Sequence, residues 1–193
     1  MSKLKKLKND SRGFSLVEII IVIAIMAAIS GVAGFGFSMV SGKPAEECAR
    51  KLASAISHGR TVTLGKYRNT IKIEKDSSGQ LEVSEHTVIS LNDDLSENET
   101  SDRSSVVGAK GVTVEYRTGS SGSYTYTELT DGSYIEIWYD SASGAMKEKI
   151  KVNGTESNVY CTGFRISKAG KAYYVILEPL TGGITFSTSE SQS

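Results

Sequence analysis

The sequence predicts an α+β protein in which one long N-terminal helix packs through its second half on an antiparallel β-rich domain. Three observations carry that expectation. Residues 14–40 hold a single ionisable side chain, Glu18. Ala45, Ala49, Leu52 and Ile56 repeat at helical spacing, with Cys48 and Ala53 beside them. Beyond Gly59 the apolar period changes from helical to two and stays there as far as Phe186.

Residues 1–13 set Lys3, Lys5, Lys6, Lys8 and Arg12 against Asp10. The whole chain is neutral, with 22 basic and 22 acidic residues, so everything after this leader is mildly acidic. Positive charge flanking a membrane helix stays on the cytoplasmic side, which puts the leader inside and the following domain across the membrane. A weakly acidic domain argues against nucleic acid, because phosphate binding needs clustered Lys and Arg. From Phe14 to Val40 a helix rises about 40 Å, and the hydrocarbon core is about 30 Å thick. Residues 14–40 are therefore long enough to span a bilayer and project beyond it. Glu18 inside that run costs about 2.5–3.5 kcal/mol on insertion scales, so it reads as a functional residue. Two plainer readings compete. One is a secretory signal cut after Ala28-Ile29-Ser30, against which stand the length of the apolar run and Glu18 within it. The other is a simple single-span anchor.

Gly31, Gly34 and Gly36 weaken the helix or offer a close-packing surface. Pro44 is suited to a first helical turn, and Glu46 and Glu47 then favour the positive end of the helix dipole. Residues 41–59 read as an amphipathic continuation stopped by Gly59. The β-rich domain occupies 60–186. Its expected strands begin at Thr61–Leu64 and Asn69–Lys75, and a Ser77-Ser78-Gly79 turn leads into Leu81–Leu91. Residues 92–105 are polar and acidic and predict a loop. Strands follow at 112–116, 124–127, 134–139 and 146–152, the last closing on Asn153-Gly154, a hairpin signal. Residues 159–167, 172–177 and 184–186 complete the set, and residues 187–193 predict a disordered tail.

Little in the chain suggests catalysis. His58 and His86 have no motif partner, and no zinc spacing, nucleophile elbow or phosphate loop occurs. The reading is a non-enzyme without cofactor. Cys48 and Cys161 are either one disulfide closing a long loop, worth about 4–5 kcal/mol in the chain-entropy model, or two buried thiols. The run Asp93, Asp94, Glu97, Glu99 and Asp102 fits no defined calcium loop and reads first as a solvated charge run, with no metal assigned. Tyr116, Tyr124, Tyr126, Tyr134, Tyr139 and Trp138 read as core or cross-strand pairs before they read as a binding face.

The stretch Arg12-Gly13-Phe14-Ser15-Leu16-Val17-Glu18, with its basic leader and apolar helix, resembles the type III signal of type IV prepilins and pseudopilins. The resemblance implies a pilin-like lollipop fold. It implies removal of residues 1–13 by prepilin peptidase, between Gly13 and Phe14, and N-methylation of Phe14 by the same enzyme. It implies that Glu18 serves assembly by pairing with the new amino terminus. The helix would be retained in a filament with other pilin or pseudopilin subunits, built on an inner-membrane assembly platform. The protein would sit in the bacterial inner membrane among its lipids, single-pass, with its N terminus in the cytoplasm. Weaker likeness extends to Cys48–Leu64 and to Glu178-Pro179-Leu180-Thr181-Gly182-Gly183-Ile184, which are similar to segments of H-type minor pseudopilins. On that basis the expected role is a minor pseudopilin or pilin supporting protein secretion. The alternatives are a filament-tip binding module, for adhesion or DNA uptake, and a plain membrane-anchored domain.

Overall fold

The computed structural model describes residues 15–27, 42–66, 68–92, 96–120 and 122–190. The chain divides into two compact units, 1–40 and 41–193. In the first, residues 16–27 form a helix, α1. The second begins with helix α2 (Lys43–Thr63) and continues through eleven strands.

Gly42 caps α2 without a side-chain hydrogen bond, and Pro44 and Glu46 lie in its first turn, with Arg60 in its last. These choices suit the helix dipole. Glu46 pairs with Arg50 and Glu47 with Lys51, one turn apart on the exposed side. The opposite stripe of Ala45, Cys48, Ala49, Leu52 and Ile56 is buried, as its spacing predicts.

Two expectations near the helix end need correction. Gly59 does not stop α2, and Thr61–Leu64 is not a strand. The helix runs on to Thr63, supported by Thr61 Oγ1 donating to the Ser57 carbonyl and Thr63 Oγ1 donating to that of Gly59. Glycine is needed at 59 for packing, since a Cβ there would stand 2.6 Å from Ile71 Cδ1.

The strands are β1 (Arg68–Lys75), β2 (Leu81–Leu91), β3 (Glu97–Gly108), β4 (Thr113–Ser120), β5 (Ser123–Glu128), β6 (Ser133–Tyr139), β7 (Met146–Val152), β8 (Thr155–Ser157), β9 (Cys161–Lys168), β10 (Lys171–Leu177) and β11 (Ile184–Ser187). They form two sheets. One runs β3-β2-β1-β6-β7-β8 and the other β11-β10-β9-β4-β5, and every pairing is antiparallel. Helix α2 touches strands of both sheets. The core joins its Leu52 and Ile56 to Ile71, Ile73 and Val83 of the first sheet and to Val114, Phe164, Ile166 and Val175 of the second.

Residues 97–105, expected in a loop, belong to β3. This is an edge strand with His86 opposite Asp102 and Ser90 opposite Glu99. Its exposed charged side chains look like a loop composition, yet charge is also how sheet edges are kept from pairing further. Asn153 and Gly154 both take positive φ, 48° and 87°, and turn β7 into β8 as predicted. The tail is corrected in part, because Ser189 N–H donates to Ser187 Oγ and the Tyr126 hydroxyl donates to Glu190. Residues 191–193 lie outside the described residues.

Candidate functional site

The first candidate is α1. Its sequence from Leu16 to Ala27 is apolar at every position but Glu18. The Ser15 carbonyl accepts the Glu18 N–H at 2.9 Å and the Ile19 N–H at 3.2 Å, which starts the helix. Along its described length it is exposed: Leu16 is 74 % exposed, and even Ile19, the least exposed of the large apolar residues here, is 49 % exposed. An all-round apolar helix belongs in a membrane or inside other protein, because water on every face costs free energy in proportion to area. Glu18 is also exposed. Gly13 and Phe14 lie outside the described residues, as does the predicted span beyond Ala27. Among the described residues no helix is long and apolar enough to cross a membrane.

The second candidate is in the globular unit, where α2 reaches two turns. Arg60 Nε donates to the Gly144 carbonyl and Nη2 to that of Thr181, both at 2.9 Å. Met146 N–H donates to the Pro179 carbonyl at 2.8 Å, tying the same two turns to each other. Gly182 takes φ 68°, and a Cβ there would overlap both the Gly144 oxygen and Arg60 Nε. The two segments of weaker family likeness, far apart in sequence, therefore meet through one guanidinium. Sequence reasoning quoted both segments and missed their contact; the Thr181-Gly182-Gly183 turn was the available signal.

The histidines do have partners. His58, near the end of α2, meets a carboxylate: Nδ1 lies 3.0 Å from Glu85 Oε2, whose side chain is only 6 % exposed. His86 lies 2.5 Å from Asp102 and 3.1 Å from Glu97. Hydrogen bonding to Asp102 is the main cause that raises its pKa, burial opposes it, and Glu97 adds to the rise. Arg68 also pairs with Glu97. Glu97 and Asp102 of the acidic run are thus paired with basic side chains, while Asp93 and Asp94 lie outside the described residues. Among the described residues no group of His, Cys, Asp or Glu is arranged to hold a metal.

Cys48 and Cys161 are both buried and both free, so the possible bridge is not present. Each has its own surroundings. Cys48 Sγ lies against Gly108 at the end of β3, and Cys161 Sγ donates to the Gly163 carbonyl within β9. Burial pushes both thiols up to about 12, which keeps them protonated and unreactive.

The aromatic set divides. Tyr139 is buried with its hydroxyl lacking a hydrogen-bond partner among the described residues, and Tyr116 packs against the core. Trp138 Nε1 donates to Thr70 Oγ1 across the β1–β6 ladder, and Lys149 stands over its ring. Lys72 lies over Tyr134. Tyr124 and Tyr126 lie beneath Arg117 and Arg165.

Residues 8–34 match the family described as the prokaryotic N-terminal methylation motif. The match spans Gly13, Phe14 and Glu18, and carries a type IV pilin-like signal for processing by prepilin peptidase. It points to a structural subunit rather than an enzyme, associated with a membrane or filament. No curated protein and no solved structure matches the chain.

Proposed function

We propose that this chain is a pilin-like subunit, cut between Gly13 and Phe14, N-methylated at Phe14, and assembled into a filament through residues 14–40. The observation that carries the proposal is α1 itself: a helix apolar on every face and exposed along its described length, with one carboxylate at Glu18. Cleavage leaves the Phe14 amine as a positive charge at the head of this helix. An unpaired charge in hydrocarbon is strongly disfavoured. Glu18 is the one acid within reach, either on the same chain or on a neighbour. Removing either partner of such a pair would strand the other, so the pairing fixes how far each subunit advances along the filament. Packing of Ile19 to Ile29 against neighbouring helices supplies the bulk of the cohesion.

The finer reading is a minor pseudopilin serving protein secretion, on an inner-membrane platform. What supports it is the Arg60 clasp, which unites the helix end and the Pro-x-Thr-Gly loop that resemble H-type minor pseudopilins. A filament-tip binding module is the second reading, favoured by Tyr124 and Tyr126 beneath Arg117 and Arg165, since tyrosine and arginine are enriched in protein interfaces.

The test is the N-terminal residue and mass of the protein recovered from its native membrane. A start at Phe14, about 14 Da heavier from one methyl group, is the expected result. A start at Gly31 would make the chain an ordinary secreted domain, and an intact Met1 would make it a plain membrane anchor.

A further inference from the structure

The end of the globular unit where α2 begins gathers four lysines from three segments. Lys43 opens the helix, Lys110 lies in the β3–β4 turn, and Lys168 and Lys171 flank the β9–β10 turn. Lys171 lies along Gly42, its Cδ 2.6 Å from where a Cβ on that glycine would stand. Lys168 Nζ donates to the Lys110 carbonyl at 3.3 Å and stands close to Gly111. A cleft of about 450 Å³ opens here, walled by Gly111, Lys168, Gly170 and Lys171.

Among the described residues none of these four lysines forms an ion pair, whereas Lys51, Lys72, Lys75, Lys149 and Lys151 all do. Most acids at the same end are already engaged, Glu128 beside Glu115 on β5 being the exception among the described residues. Glu46 and Glu47 hold Arg50 and Lys51, and Asp131 holds Lys75. Asp76, which feels Lys110 only at longer range, accepts the N–H groups of Ser78 and Gln80. Arg165, also at the cleft, is held by both oxygens of Glu115. The unanswered charge is all lysine on flexible stems, which suits mobile phosphates better than a planar or stacked ligand.

We propose that this end of the globular unit is a footing for an anionic phospholipid surface. The proposal rests on the reading of residues 14–40 as a membrane span, because Lys43 follows Val40 by three residues and would begin the unit beside the headgroups. Juxtamembrane lysines are drawn to such a surface over about a Debye length. The contact would orient the unit before assembly.

Full-length protein in vesicles of phosphatidylcholine alone, or with one third phosphatidylglycerol, is treated with an amine-acylating reagent. Modification of each lysine is then read by mass spectrometry. Lys110, Lys168 and Lys171 should be modified at least threefold more slowly in the anionic vesicles, and high salt should remove the difference. Lys66 and Lys147, at the other end of α2 and on β7, serve as controls and should not change. Equal modification in both vesicles overturns the proposal. Protection by inorganic phosphate added to neutral vesicles overturns the assignment to lipid. Failure of the protein to float with neutral vesicles sinks the membrane span instead. In that case protection of the same lysines by anionic vesicles still carries the footing, and its absence overturns it.

Discussion

Helices α1 and α2 are built from similar apolar side chains and meet opposite fates. In α2, Leu52 and Ile56 are completely buried by the two sheets of the same chain. In α1, Leu16 to Met26 remain open. The difference lies in their polar residues. Helix α2 carries Glu46, Glu47, Arg50 and Lys51 on one side, so its apolar stripe has a single direction in which to be buried. Helix α1 has no polar side to leave in water, and among the described residues of its unit there is no strand to cover it. One helix is completed by folding, the other only by an environment that the chain does not supply.

Substitutions separate the two cases. Leu52→Ala removes a fully buried side chain and should cost about 3 kcal/mol, seen as a lower thermal midpoint of the detergent-solubilised protein. Ile20→Ala should leave that midpoint unchanged while lowering incorporation into filaments. Equal effects on melting would break the comparison. Arg60→Ala removes two hydrogen bonds from a charged donor and should cost about 2 kcal/mol. Limited proteolysis should then cut first within the 140–145 or 178–183 turns, and unchanged cleavage there would refute the clasp. Tyr139→Phe should act in the opposite direction, gaining about 1 kcal/mol, because it deletes a buried hydroxyl that has no hydrogen-bond partner among the described residues; a drop in the melting midpoint would mean that the hydroxyl is engaged.

The smallest effect is at the β3 edge. The folded-state pKa of His86 lies above its ordinary value. Its pairing with Asp102 and Glu97 therefore stabilises the edge fully below the ordinary histidine pKa of about 6.5. That contribution is lost as the pH rises through the folded pKa. Being exposed, the pairing is weak. Amide exchange along β3 should be faster at pH 8.5 than at pH 5.5 after correction for intrinsic rates. His86→Gln should flatten that difference, and an undiminished one would locate the titration elsewhere.

What could be read from the sequence follows the same division. The α2 stripe, the alternating strands Arg68–Lys75 and Ser133–Tyr139, and the Asn153-Gly154 turn were legible because periodicity and turn chemistry are local. The helical nature of Arg60–Thr63 was not, since Gly59 reads as a stop and its packing role against Ile71 is a long-range contact. Strand β3 was hidden because exposed edge residues carry no apolar alternation, and its place depends on pairing with β2. The two-sheet arrangement and the clasp are long-range facts with no local signature. For the proposed processing site the reverse holds: the residues around Gly13 and Phe14 were the clearest signal in the chain, and the family match rests on that sequence, not on any fold.

Strand β3 has one more consequence. If subunits assemble through their first helices as proposed, their globular units would stand close together. Two β3 borders could merge only by stripping water from Glu99, Asp102 and Arg103, all exposed along this strand. In the proposed filament such a border would keep neighbouring domains from joining into one continuous sheet.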